Sequence, residues 1–201
     1  MMMKRTLGAG LAALVLSPVA IAEPSDREVQ RIMKRDFHAR GQAKMDRLEQ
    51  DAVQRVCTAT NGKPPEMLAK ALEADQYKTI PFPPGSLIGN WKNGAAIAWG
   101  GRGMQWHEDP KKPSAGGCYN CHEASPLRPS FGTIGPSLKA FGKVRGSSPE
   151  MQKYAYGKIY NAKAYNLCSE MPRFGSSGSL TEQQIKDLVA YLLDPGSPVN
   201  K

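Results

Sequence analysis

The residues best suited to chemistry lie in the stretch GGCYNCHEAS, where two residues separate Cys118 from Cys121 and His122 follows directly. Such a cysteine pair can form a disulfide, a redox-active dithiol, half of a zinc site or an attachment point for haem. The histidine favours haem, because two thiols on one short turn can add to the vinyl groups of a haem and the histidine then lies under the iron. The motif predicts one covalently attached haem c, with His122 as an axial iron ligand.

The rest of the sequence gives the other readings less support. A zinc site needs a second ligand pair at similar spacing, but Cys57 and Cys168 are isolated from each other. A redox dithiol needs a strand–helix context, which the proline- and glycine-rich residues before the motif do not offer. Downstream, Pro136 follows Gly135 in a turn and has no N–H, so its carbonyl is predicted to accept a hydrogen bond from the His122 ring.

A second axial ligand is needed if the iron is to pass electrons without binding substrate. Met171 is the predicted ligand, because it lies in the loop CSEMPRFGSSGSL and a methionine on a rigid loop can reach the distal face. Ligation by histidine and methionine also raises the reduction potential, which suits an electron acceptor. Met151 follows a helix-start signal and is expected to pack in the core, and His38 is expected at the surface. The other candidates are His107 and Met104.

The two remaining cysteines, Cys57 and Cys168, are predicted to form a structural disulfide, since leftover cysteines of an exported chain usually pair. The bond would tie the N-terminal region to the loop that carries Met171. An alternative is that Cys168 is a reactive thiol or an iron ligand.

Export is predicted from the first residues, where Lys4 and Arg5 precede an apolar run that ends at Ala20-Ile21-Ala22. This pattern is typical of a signal peptide over residues 1–22, and the run is too short to span a bilayer. Removing it lowers the formal net charge from +9 to +7, because two basic residues and no acidic residue are lost. A basic exported protein can attract anions or acidic proteins, whereas nucleic acid is not an expected partner.

The elements that must position these residues are predicted to be helical throughout. Apolar residues at spacings of three and four predict helix through residues 23–60, with a possible break at Gly41, and a short helix near residues 67–72. NWKNGAAIAW predicts another helix, and a long loop leads from it to the cysteine motif. A capped helix follows Thr181 and ends before Pro195. We expect a signal peptide at residues 1–22, a helical N-terminal extension at 23–84 and a single haem domain at 85–201.

Several of these segments together resemble a known family. The quoted motifs CYNCH, IGPSL, MPRFG and LTEQQIKDLVAYLLDP are similar to those of class I cytochromes c, over about half of the chain. NWKNGAAIAWGGRGMQW and GKIYNAKAYNLCSEMPRFG more narrowly resemble the SoxX subunits of the sulfur-oxidising SoxAX complexes. The resemblance implies an all-α, class I cytochrome c fold with a helical N-terminal extension.

The SoxX resemblance also implies a function: a periplasmic subunit with one haem c that pairs with a SoxA-type subunit. Such a pair joins thiosulfate to a cysteine of a thiol carrier protein, as an L-cysteine S-thiosulfotransferase, and the electrons leave for a soluble cytochrome c. The reacting cysteine is then expected on the partner. One alternative is a free-standing periplasmic electron carrier, and a weaker one makes this chain catalytic through Cys168.

Overall fold

The structure of the protein, a computed structural model, describes residues 25–201. These residues form seven α-helices and no β-strand beyond one isolated bridge, which confirms the predicted all-α fold for this part of the chain. The helices are consistent with a cytochrome c-like fold, and the predicted signal peptide at residues 1–22 lies outside the described residues. Their bounds are α1 Asp26–Asp36, α2 Ala52–Ala59, α3 Glu66–Lys78, α4 Trp91–Trp99, α5 Phe141–Arg145, α6 Pro149–Tyr160 and α7 Glu182–Leu193.

Contacts divide the chain into two compact units between Phe37 and His38. The described part of the first unit is α1, which begins after Ser25, whose side chain accepts a hydrogen bond from the backbone N–H of Glu28. The second unit contains the other six helices and the buried core. The predicted domain boundary between residues 84 and 85 remains a prediction.

The centre of the second unit is the contact between α4 and α7. Gly94 brings the two backbones together, because a Cβ at this position would lie 2.0 Å from the carbonyl oxygen of Asp187. The buried carboxylate of Asp187 accepts hydrogen bonds from the backbone N–H of Asn90 at 2.8 Å and from the side chain of Gln183 at 2.9 Å. The start of α4, where its first N–H groups lack helical partners, is therefore held against α7.

The last helix, α7, follows its sequence signals closely. Thr181 and Gln184 form a capping box, in which each side chain accepts a hydrogen bond from the other residue's backbone N–H. The predicted apolar face is in the core: four of its positions are buried and Leu192 is partly buried. The buried four are Ile185, Leu188, Val189 and Leu193.

The prediction of helix through residues 23–60 is wrong in its middle part. Between α1 and α2 the chain turns at Gly41 and forms only a short 3₁₀ helix, Met45–Leu48. The side chains of Gln42 and Arg47 donate hydrogen bonds to backbone carbonyls of the loop before the cysteine motif, at Gln105, Glu108 and Met104. These long-range bonds outweigh the local helical pattern, and Asp51 starts a new helix with its own capping box.

Among residues 25–201, no helix combines the length and the apolar character needed to cross a membrane.

Candidate haem-attachment site

The cysteine motif folds as a single tight turn. A 3₁₀ helix spans Cys118–Asn120, and the N–H groups of Cys121 and His122 both donate to the carbonyl of Cys118, at 3.1 Å and 2.9 Å. Gly117, just before the turn, has left-handed backbone angles. The turn therefore brings both cysteines and the histidine together, as the spacing predicted.

The four cysteines separate into two kinds. Cys57 and Cys168 form a disulfide with their Cα atoms 5.5 Å apart, which confirms the predicted bond. Cys118 and Cys121 are free thiols, although a two-residue spacing would allow them to pair. Cys118 packs against the buried apolar cluster, and burial raises the pKa of its thiol to about 12. The structure thus holds two unpaired thiols on one turn.

The ring of His122 has one nitrogen engaged and one available. Nδ1 lies 2.7 Å from the carbonyl oxygen of Pro136, which agrees with the predicted hydrogen bond and assigns the proton to Nδ1. Nε2 is then the nitrogen with a free lone pair, the form that ligates a metal. Gly135 packs directly against the ring and leaves no space for a side chain, because a Cβ at Gly135 would lie 2.2 Å from Cε1 of His122.

These features fit a haem c. Covalent attachment needs two unpaired thiols on one turn, and axial ligation needs a fixed imidazole whose outer nitrogen is free. The chain provides the thiols in Cys118 and Cys121 and the imidazole in His122. It also provides an apolar surface, since Cys118 packs on the main buried cluster.

The residue between the two cysteines anchors the motif to the core. Tyr119 is buried and its hydroxyl lies 2.7 Å from the hydroxyl of Tyr191 on α7. The indole N–H of Trp99, at the end of α4, donates to the same Tyr191 oxygen at 3.2 Å. Burial and the hydrogen bond to Tyr119 raise the pKa of Tyr191, so its hydroxyl keeps its proton and the network stays intact at neutral pH. The sequence analysis did not predict this network, because it joins residues that are distant in the chain.

Met171, the predicted sixth ligand, packs against the same apolar cluster as Cys118. It is partly buried, and its N–H donates to the side chain of Ser169 at 3.2 Å. The structure thus brings Met171 and the cysteine motif to one core, and ligation itself remains a proposal.

The loop that carries Met171 is held at several points by the region before residue 84. Cys57 bonds to Cys168, and Glu73 on α3 accepts the N–H of Leu167 at 2.8 Å. Asp51 forms an ion pair of 2.6 Å with Arg173, on the other side of the methionine. Burial alone would raise the pKa of Asp51, but the N–H of Gln54 and the Arg173 guanidinium together lower it.

Lys163 supports this loop from inside the protein. Its buried ammonium donates to the carbonyls of Leu167 and Ser169, at 3.2 Å and 3.4 Å. Burial, followed by repulsion from Arg173, lowers the pKa of Lys163. The sequence analysis predicted only the disulfide among these contacts, because the others join residues that are distant in the chain and carry no local motif.

The other candidate ligands occupy different surroundings. His38 and His107 are exposed, and the ring of His107 packs edge-on against Trp106. Met151 lies in the first turn of α6 and packs on the core, as predicted. Met104 is partly buried in the loop before the motif, with a left-handed φ of 66°.

Two further observations concern alternative sites within residues 25–201. No group of three or more histidine, cysteine or acidic residues there is arranged to hold a metal ion. An open pocket of about 220 Å³ borders the disulfide and is lined by polar residues that include Lys163 and Glu170. The polar walls of this pocket do not suit the largely apolar ring of a haem, whereas the apolar surface beside Cys118 does.

Comparisons with known proteins bear on the family to which the chain belongs. No family model matches the chain. The crystal structure of SoxXA from P. pantotrophus aligns with a TM-score of 0.37 and 26% identity over 53% of this chain and 82% of that chain. A protein of Aquifex aeolicus (strain VF5), named uncharacterized lipoprotein, is 38% identical over 155 residues, which cover 76% of this chain and 73% of the relative. At that identity and coverage, the protein belongs to the same family as the Aquifex aeolicus lipoprotein.

Proposed function

We propose that the protein is an electron-transfer subunit with one haem c, attached through Cys118 and Cys121 and ligated by His122 and Met171. The bound haem would supply a one-electron couple at its iron. The observation that carries the proposal is the hydrogen bond from His122 to Pro136 beside two free thiols, since it leaves Nε2 free at the place where attachment would hold a haem.

The chain's own residues have distinct tasks in this proposal. Pro136 holds the His122 tautomer and strengthens the ring as a ligand, because a donated Nδ1 proton makes Nε2 more basic. Tyr119 holds the turn against the core, and the disulfide, Glu73 and Arg173 hold the Met171 loop. Both axial side chains would then be presented by backbone segments that move little, as preorganised sites require.

The larger function follows from the resemblance to SoxX subunits. The chain would act in the periplasm beside a SoxA-type subunit, whose cysteine would accept thiosulfate and pass it to a thiol carrier protein. This chain would serve as the electron-accepting subunit of that L-cysteine S-thiosulfotransferase and deliver electrons to a soluble cytochrome c. The name of the Aquifex relative, a lipoprotein, supports export.

The haem assignment is tested by expressing the full chain in a bacterium that matures c-type cytochromes. The denatured protein should retain haem on a gel, with a mass increase of one haem, and Cys118→Ala or Cys121→Ala should weaken that retention. Met171→Ala should lower the reduction potential and open the iron to added imidazole. Met67→Ala is the matched control, because Met67 is 86% exposed on α3 and should change neither property. An unchanged spectrum and potential in Met171→Ala would move the ligand elsewhere.

The partner is tested by purifying the tagged protein from thiosulfate-grown cells, with haem staining and mass spectrometry of the chains recovered. A second haem-binding chain in near-equal amount, with an unpaired or persulfidated cysteine, is the expected result. Recovery of this chain alone with one haem would instead favour a free-standing periplasmic electron carrier. Cys168 should stay unlabelled by a thiol-alkylating reagent in the folded complex during turnover, because its sulfur is already bonded to Cys57. Labelling of Cys168 would instead support a catalytic role for it.

A further inference from the structure

The residues after the cysteine motif form an exposed loop that is tied back to it. Three backbone hydrogen bonds fix the 124–138 loop: Gly132 to Tyr119 at 2.8 Å, Gly135 to Cys121 at 2.8 Å and Leu138 to Glu123 at 2.7 Å. Six consecutive residues, 126–131, are nevertheless exposed. The loop therefore has a fixed backbone and a solvent-facing outer side next to the proposed haem.

The outer side of this loop is apolar, and the loop and the residues that follow it through α5 are basic. Leu127 is 67% exposed and Ile134 is 81% exposed, which is unusual for large apolar side chains so close together in the chain. Between Glu123 and Glu150 the sequence has no acidic residue. The same stretch contains four exposed basic residues, which are Arg128, Lys139, Lys143 and Arg145.

One of these basic residues connects the surface to the interior. The guanidinium of Arg128 lies 4.5 Å from the centre of the Trp99 ring, a cation–π contact. Trp99 donates to Tyr191, and Tyr191 bonds to Tyr119, which is covalently joined to Cys118. Covalent bonds and hydrogen bonds carry tunnelling electrons better than gaps between atoms do, so this chain of contacts is a short route between the motif and the surface.

We propose that the 124–138 loop, with Arg128 over Trp99, is the docking site for an acidic one-electron carrier protein. The inference rests on the proposed electron-transfer function. A carboxylate of the carrier pairs with Arg128, and one electron then leaves the reduced protein for the oxidised carrier along Tyr119, Tyr191 and Trp99. No bond forms or breaks and no proton moves in this step.

The positive charge of the loop and of the residues after it through α5 favours a transient protein partner over a permanent one. Charged residues are depleted in the centres of lasting interfaces, whereas a positive surface around an apolar centre speeds encounter with a negative partner. A carrier that must leave after each transfer needs this kind of contact, which weakens as salt screens it. An anionic membrane surface is the other possible occupant, and the experiment below distinguishes the two.

The test uses the full haem-loaded protein and plastocyanin, an acidic one-electron carrier, as the probe. Calorimetry with zinc-substituted plastocyanin gives Kd, and stopped-flow mixing with the copper form at saturation gives the first-order transfer rate. Arg128→Glu should weaken binding about tenfold at low salt, because it reverses the charge that the carrier meets. Lys63→Glu, at an exposed lysine in the turn after α2, should stay within about twofold of the wild type.

A second variant separates docking from transfer. Tyr191→Phe removes the hydroxyl between Trp99 and Tyr119 and keeps the ring, so Kd should be unchanged while the first-order rate falls several-fold at an unchanged reduction potential. Equal Kd and rates for the wild type and Arg128→Glu would overturn the inference, as would stronger binding to phosphatidylglycerol vesicles than to plastocyanin. Haem staining comes first: protein without covalent haem would refute the proposed function, whereas normal haem with unaltered docking would refute only this inference.

Discussion

At the scale of single residues, the main constraint on the candidate site is the contact between Gly135 and His122. Gly135 leaves no room for a side chain, since a Cβ would lie 2.2 Å from the imidazole. The next carbonyl, that of Pro136, accepts the Nδ1 proton. Orientation of the ring and choice of tautomer therefore depend on two adjacent residues, of which the sequence analysis had assigned a role only to the proline.

Gly135→Ala should displace the His122 ring and break its bond to Pro136. We expect a lower yield of covalently attached haem and a loss of about 1–3 kcal/mol in the free energy of unfolding, which is usual for overpacking. Haem staining and urea unfolding measure the two effects. Gly101→Ala is the control, because its nearest neighbour would be 3.9 Å away and its φ is not left-handed. Similar losses in both variants would contradict the role given to Gly135.

At the scale of elements, prediction succeeded where the signals were local. The capping box of α7 and the apolar face behind it lie within a few residues, and helix α4 was predicted from its own residues. Prediction failed where distant contacts decide the structure. Helix was predicted around Gln42 and Arg47, but their side chains donate hydrogen bonds to backbone carbonyls of the loop at 104–108, and the chain there is not an α-helix. The bond from Leu167 to Glu73 spans 94 residues and gives no local sign in the sequence.

The disulfide gives the clearest prediction about an element, the loop that carries Met171. Replacing both Cys57 and Cys168 by serine removes a link between residues 111 positions apart. The chain-entropy relation gives a loss of up to about 4–5 kcal/mol in unfolding free energy. The freed loop should also let added imidazole displace Met171, the proposed iron ligand, at lower concentration. An optical titration of the haem-loaded protein measures this effect.

A control separates release of the loop from general loss of stability. Asp187→Asn weakens the contact between α4 and α7 and touches no residue of the Met171 loop. It should lower the unfolding free energy by about 1–3 kcal/mol and leave imidazole binding unchanged. Equal imidazole affinity in the serine double variant and the wild type would show that the disulfide does not hold the ligand loop.

At the scale of the whole molecule, we expect burial of Tyr156 to make stability depend on alkaline pH. Tyr156 is 1% exposed, and burial, with smaller contributions from Glu182 and Tyr160, raises its pKa from 10.0 to about 12. The folded state therefore keeps a proton that the unfolded state loses above about pH 10. The free energy of unfolding therefore decreases as the pH rises from about 10 through the pKa of Tyr156 in the folded state.

We expect the free energy of unfolding to fall between about pH 10 and pH 12. For the Tyr156→Phe variant, the free energy of unfolding should fall less steeply over this pH range, since the variant has no phenol to ionise at that position. Urea unfolding at a series of pH values, followed by circular dichroism, measures both slopes. Identical slopes would mean that ionisation of Tyr156 does not contribute to alkaline unfolding.

The separation of the four cysteines also has a consequence for maturation. An exported chain meets oxidants before it is finished, and a bond between Cys118 and Cys121 would block haem attachment. Folding places Cys57 beside Cys168, and burial keeps the Cys118 thiol protonated and thus slow in thiol–disulfide exchange. The fold therefore treats the two pairs differently: oxidation closes the structural pair, while burial of the Cys118 thiol favours the reduced state of the pair to which we propose that haem attaches.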